Sequence, residues 1–450
     1  MFIQRCYAVF FIFVAILSLN TSSLFSQINS LDREYDAIIM QGAAFPDFEG
    51  VPIAELFLFS FDAVSQTWEM IPFQIDEKDT NNNFVFAGST DQIAGFDGND
   101  ELVFMAADAG DQAVIWLDNE DSQKYPRNEI VISDTLDQNN IKTAWVYLYR
   151  SSTLSISFTE DYVSYTPSSN PETGEDFVNG ASYKIGGNKN GLFGFLALPQ
   201  NPELDLLDRQ KIRGKTDFIL LSTFDEESGF SFKSLIAKDG PVRVIRQLTI
   251  SLLGQLDAPI PAQFFKNSVV LGGNLTIPAE INIGAIIKIQ EIRHSIDLSS
   301  QATGMTFSNP NNANVPIDGI EDVINDAIEV APEINYTHIS GPQGSIITLF
   351  QLPGTIGDQR KLFYLDKTGV GDPGDGDSYG DSGLIITGDD IEGRFPLSLK
   401  FIFSAQALPG STGEKLAQSE ENPLQTTVAS QNIDTVPVEI SAFSVMVKSN

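Results

Sequence analysis

The chain has 450 residues, with 27 Lys and Arg against 60 Asp and Glu, for a formal net charge of −33. A surface this acidic repels phosphate backbones and anionic lipid, which excludes nucleic acid and anionic membrane surfaces as partners. One cysteine and two histidines leave no disulfide framework and no conventional zinc centre, so the fold must rest on apolar burial or on bound hard cations.

The first 26 residues predict a secretory signal. Arg5 is the lone early charge, Ala8 to Leu19 is apolar, and Ser22, Ser23 and Ser26 follow. Cys6 precedes the apolar run, so cleavage near Ser26 leaves a mature chain without cysteine and without a membrane span. The expected location is secreted or at the outer cell surface.

Residues 27–165 predict an N-terminal β region. Glu55 to Phe61 and Thr143 to Tyr149 are aromatic-rich strands with partial period-2 alternation. Phe57, Phe59 and Phe61 share one strand face, and Trp145, Tyr147 and Tyr149 share another. The Phe row reads as core. The Trp/Tyr row reads either as core or as a platform on which sugar rings stack, because indole and phenol combine an apolar face with a polar tip. Between these strands, Asp97, Asn99 and Asp100 surround Gly98 in a turn that can gather oxygens around one ion. The other reading of that turn is a network of Asx turns.

The polar stretch Tyr165 to Asn179 marks a seam, and residues 176–407 predict a large β-sandwich. Phe230 to Ala237, Val242 to Leu253, Ala285 to Leu298, Ser345 to Leu352 and Leu399 to Phe403 are its clearest strands, and their length suggests broad curved sheets. A short helix is expected from Asp318, with Ile320, Val323, Ile324, Ala327 and Ile328 on one face. Tyr336 and His338 fall on one strand face, where a Tyr/His pair could move a proton in a glycan lyase or could sit half-buried without chemistry.

The densest acidic loop is Asp372 to Asp381. Asp372, Asp375, Asp377 and Asp381 alternate with glycines, an arrangement that repels itself unless a cation sits among the oxygens, and calcium is the expected one. Gly376-Asp377-Ser378-Tyr379-Gly380 matches a nucleophile-elbow pattern formally, but no strand-turn-helix context surrounds it. Residues 408–435 read as a polar linker, and 436–450 as the start of a truncated C-terminal β module.

Three sets of residues carry resemblances. Val436-Pro437-Val438-Glu439-Ile440-Ser441-Ala442-Phe443 resembles the opening of a small β domain near the C-terminus of secreted Bacteroidota proteins, which implies type IX secretion machinery as a partner. Pro72-Phe73-Gln74-Ile75-Asp76, followed by Asp100-Glu101-Leu102-Val103-Phe104, is similar to a module of secreted Bacteroidota proteins of unknown function. Asp239-Gly240-Pro241-Val242-Arg243 resembles a strand start in galactose-mutarotase-like supersandwich proteins near polysaccharide-degrading systems. These resemblances imply an all-β supersandwich and no catalytic residue. The expected function is non-catalytic handling of an extracellular glycan by a protein with calcium-stabilised loops. A polysaccharide lyase or glycoside hydrolase, and an adhesive envelope protein, are the competing expectations.

Overall fold

A computed structural model describes residues 26–435, apart from 90, 219–222, 253, 255, 278–280, 283–285, 328–333, 352–358, 370–371, 373–374 and 389–390. The expected signal and the Pro437 motif therefore lie outside the described residues. The protein is all-β, as expected, and every strand pairing among the described residues is antiparallel. No helix among the described residues is long and apolar enough to cross a membrane.

Two layered units make up the structure. In the first, a three-stranded sheet (Ala37–Gln41, Glu101–Met105, Phe73–Asp76) lies against a five-stranded sheet that includes Leu56–Asp62, Arg127–Asp134 and Lys142–Arg150. Alternate residues Leu56, Leu58, Ile130, Ile132, Val146 and Leu148 fill the space between them. The strand Leu56–Asp62 is buried on both faces, which is why its sequence alternates only partly.

In the second unit a nine-stranded sheet faces a five-stranded and a four-stranded sheet across one large core. Phe264, Val269, Phe307, Phe350 and Phe401 come from the nine-stranded sheet, and Leu207, Ile296, Leu298, Leu362 and Leu384 from the five-stranded one. The expected strands are present here as Phe230–Lys238, Val244–Leu252, Ile289–Leu298, Gly344–Gln351 and Gly393–Ser404.

Two expectations fail. The helix expected from Asp318 does not form. Residues 320–326 are irregular, with Ile320 and Val323 exposed. A 3.6-residue period on so short a segment has no apolar surface to bury against, and tertiary context outweighs it. The stretch expected as a linker instead contains the helix Thr412–Glu421 and the strand Gln425–Gln431. The helix covers the outer face of the nine-stranded sheet over Tyr336, Ile347, Leu349 and Ile402. The strand then pairs with Arg127–Asp134, returning the chain to the first unit.

The two units meet at a buried polar clamp. Gln74 Oε1 accepts from the backbone N–H of Val242 at 3.0 Å and of Arg243 at 2.8 Å. Gln74 Nε2 donates to the Arg243 carbonyl at 3.2 Å and to Asp76 Oδ2 at 2.7 Å. The fully buried Arg243 guanidinium reaches Asp76 Oδ2 at 2.5 Å and Glu101 Oε2 at 2.9 Å. Burial alone would raise the Asp76 carboxyl, but Arg243 and Lys238 overcome it and hold the group below its usual range. A Cβ at Gly240 would lie 2.5 Å from Gln74 Oε1, so the clamp requires glycine there.

Candidate functional site

The Trp/Tyr row is not a sugar platform. Trp145, Tyr147 and Tyr149 are 3%, 0% and 0% exposed. They belong to an aromatic box with Phe57, Phe59, Phe61, Trp68 and Trp116. The guanidinium of buried Arg127 lies 4.8 Å from the Trp116 ring and 4.7 Å from the Tyr147 ring. The Tyr147 hydroxyl donates to Glu129 at 2.9 Å and accepts from Ala113 N–H at 2.6 Å. The polar tips that made a wet surface plausible are used inside, around a buried cation.

Tyr336 and His338 do share a face, but it is covered. They are 9% and 1% exposed. Gly413 of the covering helix sits so close to the Tyr336 ring that a Cβ there would come within 2.4 Å. His338 Nδ1 lies 3.5 Å from the Gly410 carbonyl, and burial lowers the ring's pKa. No substrate can reach this pair without displacing the helix, so it is not a lyase centre.

The Asp372–Asp381 loop does collect its carboxylates around a cation, and that cation is a lysine. Lys211 Nζ, wholly buried, lies 2.5 Å from Asp297, 2.7 Å from Asp375, 3.0 Å from Asp381 and 3.3 Å from Asp372. Arg213 also reaches Asp372 at 2.7 Å, and Arg293 pairs with the same carboxylate. Burial alone would lower the Lys211 pKa, but Asp381 and Asp297 reverse it and raise it. Burial pushes Asp297 and Asp381 up, with repulsion from Asp381 adding to it at Asp297, whereas Asp372 and Asp375 are held down by their basic partners. Asp377 is exposed and turns away to accept from Gly369 N–H at 2.7 Å. Ser378 opens the strand Ser378–Thr387, with no helix after it, so there is no nucleophile elbow. The sequence reading missed Lys211 because it lies far away in the chain, on the strand Leu207–Thr216.

The Asp97 loop is different. Asp97 is 6% exposed and Asp100 is fully buried, and one carboxylate oxygen from each lies within 4.8 Å of one from Asp91. Asp100 accepts from Lys78 N–H at 3.0 Å and Asp97 N–H at 2.9 Å. Burial pushes its carboxyl up to about 6, with Asp97 and Asp91 adding repulsion. The Asx turns foreseen here are present, since Asn99 N–H donates to Asp97 Oδ1 at 3.0 Å.

One open cleft of about 470 Å³ lies along the strand Thr67–Met70 and the turn at Ala106–Asp108. Asp62, Glu69, Asp108, Asp111, Glu160 and Tyr162 supply its polar wall, and no lysine or arginine lines it. The Tyr162 hydroxyl donates to Asp108 Oδ1 at 2.9 Å, while Asp108 Oδ2 is buried without a partner. Burial pushes Asp108 up, and Glu160 and Glu69 add to it. Burial and Asp108 also raise the Tyr162 phenol, and Lys266 stacks on its ring at 4.0 Å. The sequence reading passed over this cleft. Its signal is the acidic turn Ala107-Asp108-Ala109-Gly110-Asp111 together with Glu160-Asp161-Tyr162, which are about 50 residues apart and adjacent only in the fold.

No family model and no curated protein matches the chain. Among solved structures it is similar to an α-mannosidase from Enterococcus faecalis V583 and to a protein of glycosyl hydrolase family 38 from Enterococcus faecalis. Each is 9% identical and matches over 90% of this chain, with a TM-score of 0.43. The match covers 44% of the first and 47% of the second, so the chain spans less than half of either. Likeness at this level carries nothing over to the cleft or its residues.

Proposed function

We propose that this is a non-catalytic glycan-binding protein of the cell exterior and that the acidic cleft holds the sugar. The observation that carries the reading is the cleft's wall, rich in carboxylate oxygens and closed by Tyr162 over Asp108. Such a wall accepts hydrogen bonds from ring hydroxyls. Its excess of negative charge, only partly offset by Lys266 behind Tyr162, favours neutral or amine-bearing sugars and disfavours uronates and sulfated chains. A lyase role fits poorly, because a phenol raised by its surroundings is a weaker source of phenolate at neutral pH. Export by type IX machinery belongs to the same reading and is supported by the Pro437 to Phe443 motif.

A glycan array, followed by calorimetry on the hits, tests the proposal. Asp108→Asn and Glu69→Gln should each weaken binding about tenfold, the loss of one charge-assisted hydrogen bond of about 1.5 kcal/mol. Product analysis on the bound sugar should find no cleavage. Absence of any hit, or hits indifferent to both substitutions, overturns the assignment of the cleft.

A further inference from the structure

The Asp97 turn is tightly fixed before any ligand is considered. Gly42 packs so closely on it that a Cβ would fall 1.8 Å from the Asp97 carbonyl. Gly42 N–H donates to the Asp100 carbonyl at 2.8 Å, and Ala43 N–H to the Gly98 carbonyl at 3.0 Å. Asn99 Nδ2 donates to the Asp79 carbonyl at 2.7 Å, which holds its amide in place. Yet this rigid turn leaves acceptors idle. Asp97 Oδ2, on a side chain more than nine-tenths buried, has no hydrogen-bond partner, and neither do Asp91 Oδ2 and Asn99 Oδ1. Among the described residues no lysine or arginine pairs with Asp91, Asp97 or Asp100. Lys78, whose backbone N–H serves Asp100, sends its ammonium to Glu101 instead. The Lys211 cluster shows the contrast, since there each carboxylate is met by an internal cation.

We propose that Asp91, Asp97 and Asp100, with the side-chain oxygen of Asn99, form a calcium site at the turn leading into the strand Glu101–Met105. Three carboxylates and an amide oxygen from one short segment suit a large hard cation that tolerates irregular oxygen shells. Magnesium demands a stricter octahedron and gives up its water reluctantly, so the site favours calcium over it. Zinc finds no nitrogen or sulfur here. Bound calcium ties residues 91–100 to the strand carrying Glu101, and through Glu101 to the Arg243 clamp. The site is separate from the glycan cleft and does not depend on it.

The test uses the full mature chain, stripped with chelator and titrated with calcium chloride by calorimetry. Parallel melts are run in chelator, in calcium and in magnesium. Wild type should bind calcium with a Kd on the order of 10⁻⁴–10⁻³ M. It should melt several degrees higher in 10 mM calcium than in chelator or magnesium. Asp97→Asn and Asp91→Asn should each weaken binding at least tenfold while retaining the wild-type circular dichroism spectrum. Asp91 is partly exposed and tolerates the change if Asp97→Asn fails to fold. Absence of calcium binding by wild type overturns the proposal. So does binding that survives both substitutions, or that is lost in Asp377→Asn instead. Glycan affinity is measured separately, so failure of either assignment leaves the other standing.

Discussion

Replacing Lys211 by Met tests whether the Asp372–Asp381 loop is held by an internal cation. Met preserves most of the side-chain volume and removes the ammonium that four carboxylates approach within 3.3 Å. Breaking a buried ion cluster by deleting one partner typically costs about 3–5 kcal/mol, because the remaining charges stay desolvated and uncompensated. Arg213 and Arg293 remain on Asp372, so the deficit falls on Asp297, Asp375 and Asp381. For a cooperative unit the size of the second sandwich, roughly 230 residues at about 2.1 cal/mol/K each, unfolding entropy is about 0.5 kcal/mol/K, and the expected fall in melting temperature is about 6–10 °C at pH 7.

The cost of this substitution depends on pH. Without the ammonium, Asp297 and Asp381 rise further and hold protons that the unfolded chain releases near pH 4. The variant therefore loses stability as pH rises from about 4 towards neutrality, and its deficit at pH 5 is smaller than at pH 8. Calorimetric melts across this range read both quantities. Adding Asp381→Asn to the variant should restore part of the loss, by removing one of the stranded charges. A deficit under about 1 kcal/mol at pH 7, or one that does not change between pH 5 and pH 8, refutes the view that Lys211 neutralises the loop.

Other measurements probe the remaining elements. Gln74→Leu strips the clamp of its acceptor for two buried backbone N–H groups, and a loss of about 2–4 kcal/mol in chemical denaturation is expected. Tyr147→Phe orphans Glu129 and Ala113 N–H inside the aromatic box; it should cost about 1–3 kcal/mol and leave glycan affinity unchanged. His294 accepts or donates at Nε2 with Gln210 at 2.9 Å, and burial lowers its pKa to about 4. Its neutral form thus supports the fold above pH 6.5, and that support is lost as pH falls towards 4. His294→Gln should flatten acid denaturation in this window by about 1–2 kcal/mol, less than the full shift because the ring is only partly buried.

Much of the architecture was legible because strand signals are local. The runs from Glu55, Thr143, Val242 and Ser345 announce themselves through β-branched and aromatic residues between turn residues. The two motifs quoted from the first unit and the Asp239-Gly240-Pro241-Val242-Arg243 segment also proved to belong together, since Gln74, Asp76 and Glu101 close on Arg243. What stayed hidden was which face of a strand meets water. Trp145 and Tyr336 lie on strands buried from both sides, and the covers are residues 113–117 in one case and the helix Thr412–Glu421 in the other. Neither cover is encoded in the strand's own alternation. The same limit explains Lys211, because a loop of carboxylates states a need for positive charge without saying whether an ion or a distant side chain meets it.

The answer to that need follows from scarcity. Among the described residues seven basic side chains, namely Arg33, Arg127, Lys211, Arg213, Arg243, Arg246 and Arg293, are under 9% exposed, and the chain has only 27 Lys and Arg. Each is placed against buried carboxylates, carbonyls or aromatic rings, as with Arg246 on Asp176 at 2.7 Å. A protein that draws this heavily on so few cations for its interior leaves its surface more acidic still. Where a carboxylate cluster receives no share, as at Asp91, Asp97 and Asp100, the proposed calcium would supply the positive charge from solution. The Lys211 and Asp97 clusters are thus two solutions to one electrostatic problem. They should respond oppositely to chelator, which destabilises the second and leaves the first untouched.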